Sequence, residues 1–189
     1  MKTIIFGILL FLSSCDFLTT RNAEEPDIGR SSFVVATTPE QLFINLTDSF
    51  REKIERNYES CFVDSSFLNK GFTFYASSEA TSKFSVLSNW SIDEEKDYFR
   101  NLLAIIPQEK TLVVNLFDES SSQQGDSAIY IFNYTILLPN ISNQVDLEYR
   151  GSSEFKINLD ANNQWVITEW TDIGIDEYPS WSVLKGNFY

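Results

Sequence analysis

Pro107 divides this chain into two hydrophobic periods, and that division constrains the fold more than any other feature. Before it, apolar residues recur at helical spacing. Leu42, Leu46 and Phe50 stand four residues apart, Phe43 widens the stripe, and Phe99, Leu102, Leu103 and Ile106 repeat the pattern later. Such stripes predict amphipathic helices with one face turned to a core. Both have a start signal. Thr38-Pro39-Glu40-Gln41 and Ser91-Ile92-Asp93-Glu94 match the capping box, in which a hydroxyl and a Gln or Glu three residues on satisfy free N–H groups. Pro39 suits the first helical position. Ile54, Tyr58, Cys61 and Phe62 continue helical spacing to about Val63, past a bend at Arg51-Glu52-Lys53. Residues 72–75 read as a short strand and residues 76–89 as a loop.

After Pro107 the period becomes two. Residues 111–117 predict a strand, and residues 119–126 a connection rich in Ser, Gln and Gly. Ala128, Tyr130, Phe132, Tyr134, Ile136 and Leu138 share one face of a long strand. Ile129, Ile131 and Leu137 share the other, which predicts cover on both sides over part of its length. Leu147, Tyr149, Gly151, Phe155, Ile157 and Leu159 alternate with polar residues, with Gly151 as a bend or bulge point. Asp160-Ala161-Asn162-Asn163 reads as a hairpin turn. Residues 165–170 form the last clear strand, and residues 180–189 a terminal strand or tail. Two or three N-terminal helices against a mainly antiparallel sheet make an α+β domain.

The chain opens with Lys2, an apolar run from Ile4 to Leu12, and Leu12-Ser13-Ser14-Cys15. The run is shorter than the ~20 residues that span a bilayer. These residues resemble a bacterial lipoprotein signal, with Ser14 where the family more often has Gly or Ala. The resemblance implies a signal over residues 1–14, a diacylglycerol thioether on Cys15, and a cell-envelope location facing the periplasm or exterior. Polar residues then form a linker over residues 15–37, with first contact to the domain at Phe33-Val34-Val35. Twenty such residues reach roughly 25 Å as a coil. The folded domain is expected over residues 38–189.

Charge and residue usage narrow the chemistry. The net charge is −13, which argues against nucleic acid or an anionic lipid surface as partner. There is no His, so Ser-His-Asp and Cys-His catalysis and His-ligated zinc are excluded. Cys61 is the one other Cys beside Cys15, and its apolar surroundings make it a small core residue. Asp93, Glu94, Glu95 and Asp97 read as a solvated helix start. Asp160-Ala161-Asn162-Asn163 lacks the Gly and Glu of a calcium loop. No cofactor or metal is expected.

Thr38-Pro39-Glu40-Gln41-Leu42, Tyr58-x-x-Cys61-Phe62-x-Asp64 and Trp165-Val166-Ile167-x-x-Trp170-x-Asp172 resemble the two-helix opening and closing strand of SnoaL-like members of the NTF2-like superfamily. The resemblance spans residues 38–172. It implies a cone, in which a curved sheet wraps a helix around an apolar pocket. In relatives a Tyr and one or two carboxyls line that pocket, which makes Tyr58, Asp64, Tyr149 and Glu169 the candidate pocket residues. Each also has a structural reading: Tyr58 and Tyr149 in the core, Asp64 in a helix-ending turn, Glu169 alternating outward. Three functions follow as expectations. One is a non-catalytic, lipid-anchored domain binding a small apolar ligand or an envelope protein. The second is a pocket enzyme of isomerase or dehydratase type using Asp or Glu with Tyr. The third is a module that forms a homodimer.

Overall fold

The structure, a computed structural model, describes residues 31–141, 145–175 and 177–189. The signal, Cys15 and residues 16–30 lie outside the described residues. Residues 32–36 lie along the domain. The buried Asn45 side chain donates to the Val34 carbonyl at 2.6 Å and accepts from its N–H at 3.3 Å. The Ala36 carbonyl accepts from the Trp165 N–H at 2.8 Å.

Helix α1 spans Pro39–Glu52 and buries Leu42, Phe43, Leu46 and Phe50. The Thr38 hydroxyl caps it by accepting from the Gln41 N–H. The Gln41 amide turns instead to Asn45. Lys53 ends α1 in the left-handed region, at φ 57°. Its ammonium donates to the carbonyls of Pro107, Gln108 and Lys110. Helix α2 is Glu55–Glu59, shorter than the apolar spacing predicts, because Cys61 and Val63 leave it to bond the backbone of Ile167. Strand β1 is Thr73–Tyr75. The loop expected over residues 76–89 contains α3, Ser78–Lys83, and a 3₁₀ turn, Ser85–Ser88. The Ser77 hydroxyl caps α3, so its small polar residues start a helix as well as a loop. Helix α4 spans Ile92–Ile105 behind a complete Ser91/Glu94 capping box.

Strands β2 (Val113–Gln124), β3 (Ser127–Leu137), β4 (Glu148–Leu159) and β5 (Trp165–Gly174) form an antiparallel meander. With β1 parallel to β5 the sheet order is β1-β5-β4-β3-β2. The expected connection at residues 119–126 is mostly strand. Its Ser and Gln side chains are exposed, and pairing with β3 continues to Gln124↔Ser127, so Gly125 at φ 57° and Asp126 alone make the turn. Gly151 is not a bulge: it stays in register opposite Tyr134, and the β4 irregularity falls between Lys156 and Ile157. A Cβ at Gly151 would overlap the Tyr134 hydroxyl and the Ile173 carbonyl, so close packing requires glycine. The turn at Asp160 is a hairpin as expected. Its carboxylate accepts from the N–H groups of Asn162 and Gln164.

One sheet face carries the core. Phe43 of α1 packs on Tyr130, Phe132 and Phe155 at ring separations of 5.1, 4.8 and 5.3 Å. The other face differs from expectation: Ile129, Ile131 and Leu137 are 37–41% exposed rather than covered. At the edge of that face the segment before β1 leans in: the Lys70 ammonium donates to the Asn158 side chain at 3.0 Å, and Lys70, Gly71 and Ile129 line one cleft. The last segment is also different. Residues 181–188 form helix α5, Trp181–Phe188, which buries Trp181, Val183, Leu184 and Lys185. Trp181 lies between Trp170 of the sheet and Phe50 of α1, at 4.5 and 5.6 Å.

Candidate functional site

Two carboxylates are buried beneath α5, and each is placed by local sequence. The Ser91 capping box fixes where α4 begins. Glu95 then falls three, four and seven residues before Tyr98, Phe99 and Leu102, on the buried stripe. It is therefore not part of a solvated helix start; it is fully buried. Asp172 lies on β5 two residues after Trp170, on the same inward face.

Glu95 is surrounded by donors. One oxygen accepts from the Tyr58 hydroxyl. The other accepts from the Trp90 indole N–H at 2.7 Å and from the Lys185 ammonium at 2.5 Å. Lys185 is as buried as its partner. Its Nζ lies 3.7 Å from the Trp170 ring centroid and 3.8 Å from that of Phe74, with Tyr98 and Trp90 at 5.5 and 5.7 Å. Burial pulls the Lys185 ammonium down to about 8, and the Glu95 charge opposes that shift. Burial, then the same Glu95 charge, pushes the Tyr58 and Tyr98 hydroxyls well above an ordinary phenol.

Asp172 holds the other end of α5. One oxygen accepts from the Tyr134 hydroxyl at 2.7 Å. The other accepts from the Ser182 N–H at 2.7 Å and its hydroxyl at 2.5 Å. The Tyr134 oxygen accepts from the Trp181 N–H at 2.7 Å. The first free N–H groups of α5 thus meet a carboxylate and a phenol, where the helix dipole favours negative charge. The Ser77 N–H donates to the Ser182 hydroxyl, and the Ser77 and Ser180 hydroxyls bond at 3.0 Å. Burial pushes the Asp172 carboxyl above its usual range, against the hydrogen bonds from Ser182 and Tyr134.

The four residues singled out from sequence are not brought together. Tyr58 is fully buried and belongs to the Glu95 cluster. Tyr149 is also fully buried, yet no group among the described residues satisfies its hydroxyl with hydrogen-bond geometry. Burial, which the nearby Asn187 amide offsets in part, pushes it up to about 12. Asp64 is exposed and caps its own turn by accepting from the Ser66 N–H, which holds its carboxyl below the usual range. It borders a surface cleft of about 470 Å³ with Arg56, Glu59 and Lys96. Glu169 faces outward and pairs with Lys156. Sequence reading missed Glu95 and Lys185. The signal for Glu95 was its register against Tyr98 and Phe99. Lys185 had no local signal, because its partners come from four distant segments.

Catalytic proton transfer needs a carboxylate with a free lone pair facing substrate. Here Glu95 and Asp172 each take three protein donors, and both lie buried beneath α5. As arranged, the two carboxylates fasten α5 inside the cone.

Curved sheet, inward aromatics and helices on one face define an α+β domain of the NTF2-like cone type. No family model matches the chain, and no curated protein matches it. Solved structures do. A candidate dehydratase of the NTF2-like family from Streptomyces avermitilis superposes with a TM-score of 0.54 at 10% identity, over 72% of this chain and 93% of that one. An NTF2-like protein of unknown function from Pseudomonas putida KT2440 gives 0.53 at 10% identity, over 73% and 85%. An NTF2-like superfamily protein from Salmonella enterica serovar Typhimurium gives 0.53 at 8% identity, over 72% and 88%. At this identity the likeness defines the fold.

Proposed function

We infer that this chain is a non-catalytic, lipid-anchored module on the outer side of a bacterial membrane, and that it binds an envelope protein through the open face of its sheet. One observation carries the reading. The cone is filled by the chain's own α5, while the opposite sheet face leaves Phe117, Ile129, Ile131, Leu137 and Ile173 between 37% and 51% exposed. Paired charges, Lys156 with Glu169 and Arg150 with Glu148, lie among them. Apolar anchors interspersed with satisfied polar groups suit a protein partner better than a small apolar ligand. The anchor rests on the likeness of residues 1–15 to a lipoprotein signal, and the acidic balance suits an extracytoplasmic domain.

A photoreactive phenylalanine analogue at Ile131, irradiated in intact cells, tests the contact. The expected result is one discrete adduct, absent when the analogue replaces Ile44 on the exposed side of α1. Ile129→Lys should abolish it. An adduct of twice the chain's mass would make the partner a second copy, and no adduct would overturn the reading. Cys15→Ala should move the protein out of the membrane fraction, and its retention there would defeat the anchor.

A further inference from the structure

We propose that the closed end of the cone is a recognition site for a primary ammonium group, which the chain fills with its own Lys185. This goes beyond the outer-face reading and does not depend on it. Four features make the site. Glu95 supplies a fully buried carboxylate whose orientation is fixed by the Tyr58 hydroxyl and the Trp90 indole, both buried themselves. Trp170 and Phe74 present ring faces to the cation at 3.7 and 3.8 Å, the range where a desolvated ammonium gains most from an aromatic quadrupole. Tyr98 and Trp90 close the remaining sides at 5.5 and 5.7 Å. The walls come from α2, β1, Trp90 just before the α4 cap, α4 itself and β5, none of them the helix that carries the occupant, and Lys185→Ala keeps the Trp181 that Tyr98 and Trp170 also touch.

The chemistry selects among cations. The short contact of Lys185 with Glu95 requires an N–H donor, which excludes a quaternary ammonium. Aromatic faces on two sides fit the compact point charge of an ammonium better than a planar guanidinium fork. The ligand class is thus a primary alkylammonium: a lysine side chain, a polyamine end or a simple amine. In the chain as it stands, α5 is an internal ligand. Gly186 lets it seat, since a Cβ there would overlap the Phe84 ring.

Lys185→Ala removes the propylammonium end of the side chain and leaves the walls in place. Adding n-propylammonium chloride to this variant of the full chain should raise its Tm saturably, by about 4 °C. The neutral n-propanol at equal concentration should not, and neither should sodium chloride at equal ionic strength. Adding Glu95→Gln to Lys185→Ala should abolish the rise, because the cation then lacks its counter-charge. An equal effect of propylammonium and propanol would mean that the amine only fills a void, and would overturn the proposal. Absence of any effect would do the same. If Lys185→Ala does not fold unaided, refolding yield from urea with and without propylammonium is read by the same criteria.

Discussion

The Glu95–Lys185 pair decides more about this molecule than any residue on its surface. A buried ion pair offsets its own desolvation only when both partners are present. Glu95→Ala should therefore destabilise the fold by about 3–5 kcal/mol in urea unfolding, because it strands an ammonium among rings. Replacing both residues by Met should recover most of that loss, and a double variant no better than the single would contradict the account. The buried tyrosines give a second test. Tyr58, Tyr98 and Tyr134 have folded-state pKa values raised above that of an ordinary phenol, about 10. Their stability contribution is whole below pH 10 and is lost as pH climbs above it, since only the unfolded chain ionises them there. Absorbance at 295 nm should show these phenols titrating together with unfolding rather than before it. Some of this was legible in the sequence. Tyr58 read correctly as buried, and Glu169 as able to face outward. Glu95 was hidden in an acidic run, where only register separates a buried carboxylate from three solvated ones.

Element boundaries followed hydrophobic period where one face was buried and failed where backbone pairing or distant partners decided. Helices α1 and α4 carry clear stripes and caps, and both form where the pattern puts them. The second half of β2 has no apolar alternation, so Ser120, Ser121 and Ser122 read as a connection. Pairing with β3 makes them strand. Helix α5 was misread for the opposite reason: its buried residues run together, Trp181 to Lys185, with no exposed face to mark a period. Gly151 tests how tightly the elements are locked. Gly151→Ala should cost about 1–3 kcal/mol, since the new methyl group must displace the Tyr134 hydroxyl that joins Asp172 to α5. Unfolding by urea would measure it, and a neutral substitution would show that the seam yields.

For the whole molecule, an NTF2-like cone closed from within leaves apolar side chains exposed on the outer sheet face, the surface proposed above for a partner. Ile129→Lys should change stability by less than about 0.5 kcal/mol while abolishing photo-crosslinking from position 131, which separates a contact surface from a folding element. The fold class was readable because the change of period at Pro107 leaves few architectures. The filled cone was not, because it depends on where the last helix lies. The same sheet ends in β2, whose outer rim has no neighbouring strand among the described residues. Between Phe117 and Ser120 the pairing slips, so Asp118 and Glu119 stand against the single residue Phe132, with Asp118 at φ 54°. A kinked, acidic rim is a poor template for another chain's backbone. Neighbouring copies would therefore resist zipping into fibrils, and deleting Asp118 should shorten the lag before thioflavin T fluorescence rises, an unchanged lag contradicting the account.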